Sequence, residues 1–147
     1  MTYGTQRYDL RIQRSADEVW KVLSQLDSLP LWFPGVVSCV IEDDVRHVEL
    51  PTGMKLPERM ITVDHILKRL QYQLDLPVLT HHRTTVDVIE LGESECIVIY
   101  STDADPRILA LTMGAGTGQA LYGLRDYVEL GVLANSSTTS STTSSSS

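Results

Sequence analysis

Between residues 36 and 103 the chain alternates apolar and polar residues with a period of two, and only short turn sequences interrupt the alternation. The pattern reads as strands at 36–42, 46–50, 56–66, 69–74, 82–91 and 95–103. Four of the five breaks between them are Asp43-Asp44, Pro51-Thr52-Gly53, the Leu67-Lys68 region and Gly92-Glu93. Parallel neighbours need a crossover of about a dozen residues or more, so breaks this short force an antiparallel meander. A strand at 7–13, where Tyr8, Leu10 and Ile12 alternate with polar residues, brings the sheet to seven.

Helical signals flank the meander. Ser15-Ala16-Asp17-Glu18 is a capping box, in which the Ser15 hydroxyl accepts from the Glu18 amide and the Glu18 carboxylate returns to the Ser15 amide. Val19, Trp20, Val22, Leu23 and Leu26 then share one helical face, and the helix is expected to end near Asp27. The apolar run from Leu29 to Phe33, fenced by Pro30 and Pro34, fits a short second helix turning at Pro34-Gly35. After Asp105-Pro106 a weakly charged helical stretch runs to about Leu133, with Asp105 as N-cap and Pro106 in the first helical position. The fold class is therefore α+β, in the order β, α, α, six β, α. A curved antiparallel sheet gripping one long C-terminal helix is the economical packing. A bent sheet cannot touch a straight helix along its whole length, so a gap between them is expected.

The folded domain is assigned to residues 4–133. Residues 134–147, nearly all Ser and Thr, have nothing to bury and are expected to form a disordered tail. A formal net charge of −7 disfavours nucleic-acid binding and attachment to anionic membranes. Residues 1–6 are polar and show no leader pattern, and no apolar run reaches bilayer length. Cys39 and Cys96 sit far apart among apolar residues and read as free thiols in a reducing compartment, so the expected location is the cytoplasm.

With these elements in place, the chain resembles the START-like or SRPBCC superfamily, in particular its polyketide cyclase/dehydrase and lipid-transport branch. The likeness spans Tyr8 to about Val128. It is carried by Ser15-Ala16-Asp17-Glu18-Val19-Trp20, by Leu31-Trp32-Phe33-Pro34-Gly35-Val36, and by Leu56-Pro57-Glu58-Arg59-Met60 with Asp64. Further on it rests on Arg69, Tyr72, Leu76-Pro77-Val78, the strand ending at Asp105-Pro106, and Leu121-Tyr122-Gly123-Leu124. The resemblance implies a helix-grip fold with a hydrophobic cavity, in a group that includes lipid carriers, hormone receptors and aromatase/cyclases. His82 stands where relatives commonly carry an aromatic residue, and Tyr100 and Ala104 where they often carry Trp and Phe. Both departures imply a pocket of altered shape.

Glu58 is the sharpest polar candidate. In the family pattern a Glu at this place often points into the cavity, where burial would raise its pKa. The structural alternative is a salt bridge to Arg59, Arg83 or a neighbouring strand. His82 and Thr84 share one strand face with Val86 and Val88, so His82 is either a donor or acid/base in the cavity or a hydrogen-bonded strand histidine. The expected lining is Trp32, Phe33, Met60, Tyr72, Ile99 and Tyr122, which could equally be plain core. Gly114, Gly118 and Tyr122 form one stripe of the last helix, thinned for a strand or for a ligand. The surrounding glycine run lacks the offsets and the βαβ context of a dinucleotide site. His47 and His65 are isolated, and His81 and His82 point to opposite faces, so no metal is assigned, nor any cofactor. The expected partner is a small hydrophobic molecule such as a polyketide, isoprenoid quinone or lipid. The rival reading is an aromatase/cyclase in which Glu58 and His82 move protons.

Overall fold

The computed structural model describes residues 2–135. Seven strands form a single antiparallel sheet: β1 (Gly4–Ile12), β2 (Ser38–Glu42), β3 (Val45–Glu49), β4 (Lys55–Asp64), β5 (Arg69–Leu74), β6 (His81–Gly92) and β7 (Glu95–Asp105), in the spatial order β1-β7-β6-β5-β4-β3-β2. Helices α1 (Ala16–Ser24) and α2 (Leu29–Trp32) fill the long connection between β1 and β2, and α3 (Arg107–Leu130) lies across the sheet against β1 and β7. The α+β helix-grip architecture expected from the alternation is the one observed, with strand ends within two residues except the start of β1, which lies three residues earlier than expected.

The turns show why the chain folds back where it does. Asp43 and Lys68 adopt φ of 55° and 56°, and Gly53 adopts 85°. Left-handed backbone of this kind reverses the chain within a few residues. The Asp64 side chain ends β4 earlier than expected, by accepting the amides of Ile66 and Leu67 at 3.0 and 2.9 Å.

Four helix ends differ from expectation, one of them the end of α3, which stops at Leu130 rather than about Leu133 because Gly131 turns left-handed with φ of 68°. Ser15 Oγ accepts from the Glu18 amide at 3.1 Å, but the returning carboxylate meets the Ser15 hydroxyl, at 3.3 Å, rather than the Ser15 amide. Helix α1 stops at Ser24 because Gln25 is extended, and a 3₁₀ turn at Leu26–Ser28 follows. Ser28 holds that corner by donating to the Val22 carbonyl and accepting from Trp32 Nε1. Asp105 does not cap α3. It is the last residue of β7, its carboxylate takes the Thr2 hydroxyl, and Pro106 occupies the N-cap position without a side-chain bond.

Ala134 and Asn135, assigned to the tail, are docked. Asn135 Nδ2 donates to the carbonyls of Pro30, Phe33 and Val36, and its Oδ1 accepts from the Gly35 amide. The remainder of the tail, 136–147, lies outside the described residues.

The aliphatic core fills one end of the concave face. There Ile12, Val19, Leu23, Val86, Val98, Leu121 and Leu124 are almost wholly buried. Close approach of α3 to β1 explains two of its glycines. A Cβ on Gly114 would come within 2.5 Å of the Gln6 side chain, and one on Gly118 within 3.2 Å of the Tyr8 ring.

Candidate functional site

At the other end of the concave face the sheet and α3 separate around a cavity of about 260 Å³. Strands β4 to β7 form its floor through Glu58, Tyr72, Leu74, His82, Thr84 and Thr102. Met113, Gly116 and Thr117 of α3 form its roof, and Phe33, Leu50 and Leu56 close the side. Period-two alternation puts the floor residues on one face: the inward set of β6 begins His82, Thr84, Val86, and that of β7 ends Tyr100, Thr102, Ala104.

A buried ion pair anchors the floor. The β3–β4 register sets Arg46 directly opposite Glu58, and Arg46 Nε donates to Glu58 Oε1 at 2.8 Å. The Arg46 side chain is only 2 % exposed, so this pair is desolvated rather than a surface contact. Arg46 also donates to the Leu26 carbonyl at 3.3 Å and lies 5.0 Å from the Tyr72 ring centroid. Tyr72 and Tyr100 share a hydroxyl–hydroxyl bond of 2.9 Å. Burial raises the Glu58 carboxyl above its ordinary range, with Arg46 opposing. Burial disfavours the Arg46 charge, but Glu58 together with Tyr72, Tyr100 and Cys39 outweighs it, and the guanidinium is held more firmly cationic. With a guanidinium at 2.8 Å that does not lose its proton, the carboxylate is ionised at neutral pH. Burial drives Tyr72 well above its usual value and Tyr100 to about 12.

His82 is 3 % exposed. Its Nδ1 accepts from the Leu74 amide at 2.9 Å, and its Nε2 lies 3.3 Å from Thr84 Oγ1, which is in turn 3.2 Å from Thr102 Oγ1. Burial lowers its pKa to about 4, helped by the charges of His81 and Arg83. It is therefore a neutral, fixed imidazole.

Of the residues singled out from the sequence, Phe33, Glu58, Tyr72, His82 and Thr84 meet at this cavity. Trp32 is buried in the core and bonded to Ser28. Met60 is half-buried and packs on the core outside the cavity wall. Ile99 points to the opposite face of β7, since its buried neighbours Val98 and Tyr100 take the inward parity. Gly114 and Gly118 face β1 instead of a ligand space. Tyr122 is half-exposed in a surface groove beside Tyr8, with Arg125 over its ring.

Sequence reading missed Arg46, Thr102, Met113, Gly116 and Thr117. Strand parity was the available signal for two of them: Arg46 shares its face with Val48, and Thr102 with Val98 and Tyr100. Gly116 follows Gly114 by two residues, a rotation of about 200° on a helix, and so turns to the far side. A Cβ built there meets nothing within 4 Å.

A larger, shallower groove of about 550 Å³ lies outside, between α2, Pro51 and Leu133, and no ionisable side chain lines it. Among the described residues no helix is long and apolar enough to cross a membrane.

Comparison with known proteins decides the family. The model for polyketide cyclase/dehydrase and lipid transport matches residues 7–129. The chain belongs to this family. Its members bind hydrophobic ligands or act as cyclases. The family fold recurs in an uncharacterized protein from Bacillus thuringiensis, at TM-score 0.78 and 21 % identity over 85 % of this chain and 98 % of that one. A truncated norcoclaurine synthase from Thalictrum flavum has TM-score 0.71 and 18 % identity, over 87 % and 94 %. A START superfamily protein from Mycobacterium smegmatis has TM-score 0.70 and 13 % identity, over 85 % and 97 %. At such identities these likenesses speak for the family's fold alone. No curated protein matched the chain in sequence.

Proposed function

We propose that the protein binds and carries a small hydrophobic molecule in the cavity between sheet and helix, without transforming it. The observation that carries this reading is that both groups able to move a proton there are already engaged. Arg46 holds one oxygen of Glu58, and the Leu74 amide and Thr84 hold both nitrogens of His82. A histidine titrating at about 4 is a poor general acid or base at neutral pH. The apolar share of the lining, from Phe33, Leu50, Leu56, Leu74 and Met113, supplies affinity at roughly 25 cal/mol per Å² of ligand surface covered.

Volume narrows the ligand. Ordinary small-molecule sites run from about 300 to 1,000 Å³, and a cavity of about 150 Å³ takes benzene. At about 260 Å³ this chamber suits a compact one- or two-ring body better than an extended acyl or isoprenoid chain. The free thiols of Cys39 and Cys96, both raised to about 11 by burial, suit a reducing compartment such as the cytoplasm.

Native mass spectrometry of the purified protein is expected to show a bound small molecule, and the stripped protein should bind naphthalene stoichiometrically. Gly116→Leu, which sets a bulky side chain at the exposed rim of the chamber, should lower that affinity more than tenfold without lowering the melting temperature. Unchanged affinity in Gly116→Leu would sink the reading. The cyclase alternative keeps one observation in its favour: no described residue donates to Glu58 Oε2. It requires turnover of a polyketide chain that collapses in Glu58→Gln, whereas a carrier loses only affinity.

A further inference from the structure

The hydrogen bonds of the floor fix which of its atoms can donate and which can accept. An amide N–H can only donate, so the Leu74 amide makes His82 Nδ1 an acceptor. The one ring proton of a neutral imidazole is then on Nε2, which donates to Thr84 Oγ1 at 3.3 Å. Of these two hydroxyls, 3.2 Å apart, Thr84 donates to Thr102 Oγ1, the direction that leaves no buried Thr84 hydrogen unpaired. The chain ends at Thr102, which lines the cavity and has no further acceptor among the described residues, so its hydroxyl hydrogen is left for the interior.

The β4 side of the floor has the opposite polarity. Glu58 Oε1 is taken by Arg46, while Oε2 accepts nothing from the described residues and belongs to a residue lining the same cavity. The Thr117 hydroxyl hydrogen on the roof is spent on the Gly114 carbonyl at 2.7 Å, while Tyr72 and Tyr100 share one hydrogen bond of 2.9 Å, in which either can donate and which uses one of their two hydroxyl hydrogens. Glu58 Oε2 therefore offers an acceptor and the Thr102 hydroxyl a donor to a space whose walls are largely apolar. Arg46 already balances the Glu58 charge, so a charged ligand would be buried without a counter-ion.

Resting on the reading of this cavity as a ligand site, we propose that it selects a neutral, compact aromatic compound bearing both a hydroxyl and a carbonyl group, with the hydroxyl donating to Glu58 and the carbonyl accepting from Thr102. A flat ring suits walls built from Phe33, Tyr72 and Met113.

Isosteric para-substituted benzenes test this by calorimetry on the stripped full-length protein: p-cymene, para-isopropylphenol, para-methylacetophenone and para-hydroxyacetophenone. The hydroxyl is expected to tighten binding about tenfold over p-cymene, the ketone about threefold, and the two together about thirtyfold. Thr102→Val, an isosteric change, should erase the ketone's gain over p-cymene. Equal affinity across the series would overturn the assigned polarity while leaving the cavity a ligand site. Tighter binding of tyramine or para-hydroxybenzoate would overturn the neutrality. If no member of the series binds, this proposal and the carrier reading both fall.

Discussion

The inward faces of β6 and β7 change character halfway along. Toward the β6–β7 turn they present Val86, Val88, Cys96 and Val98, which join Leu121 and Leu124 of α3 in one buried cluster. Toward the other end the same strands present His82, Thr84 and Thr102, and the helix above them offers Met113, Gly116 and Thr117 around a void. One helix and one sheet thus build a packed half and a hollow half. The contrast locates stability and function separately. Branched aliphatic side chains at native density hold the fold, while the hollow half keeps its shape through polar bonds, because hydroxyls and imidazole must find partners once they are out of water.

Breaking the polar frame of the hollow half should have the largest effect. Arg46→Met leaves Glu58 buried without its cation, with an expected loss of about 3–5 kcal/mol in urea unfolding. The double variant Arg46→Met/Glu58→Leu removes both charges and should recover most of that loss. If the single variant unfolds like the native protein, the ion pair is not what holds this end together.

That pair also shows where sequence reading stops. The parity of β3 and β4 is plain in the alternation, and Arg46 and Glu58 each fall on an inward position. Pairing them requires the register, which is set by the turn through Pro51-Thr52-Gly53 and by contacts such as the Gly53 amide on the Leu50 carbonyl. A hairpin slipped by two residues would keep every hydrophobic position and separate the charges. The glycine stripe was legible as a place of close approach, but whether Gly114 and Gly118 faced a strand or a ligand depended on how α3 sits over β1. Asn135 gave no signal, since its four hydrogen bonds are to backbone groups brought together only by α2 and the turn at Gly35.

A smaller effect separates two glycines of one helix. Gly116→Ala should stabilise the protein by about 1 kcal/mol, the ordinary helical preference for alanine, because its methyl group enters open space. Gly114→Ala gains the same preference but drives a methyl group into Gln6 Cβ and Cγ, so a net loss of about 1 kcal/mol is expected. Chemical denaturation of both variants reads the difference. Equal signs would mean that the roof and the β1 contact are not distinct surfaces.

The pH dependence of stability is the finest probe of the hollow half, because His82 and Glu58 act in opposite directions. The folded-state pKa of His82 is lowered to about 4 from 6.5. The unfolded chain therefore takes up that proton first, and the stability His82 contributes is complete above about 6.5 and lost as pH falls toward 4. Glu58 is raised from 4.5, so its contribution is complete below that value and is lost as pH rises through the folded-state value. Between pH 7.5 and 5.5 the histidine should cost the native protein on the order of 1 kcal/mol. His82→Asn keeps an acceptor for the Leu74 amide and has nothing to titrate. Subtracting its stability profile from that of the native protein isolates the histidine, and the difference should fall with pH in that window. A flat difference would mean that the imidazole is solvated and free to protonate. The chamber floor would then not be the neutral surface on which the carrier reading depends.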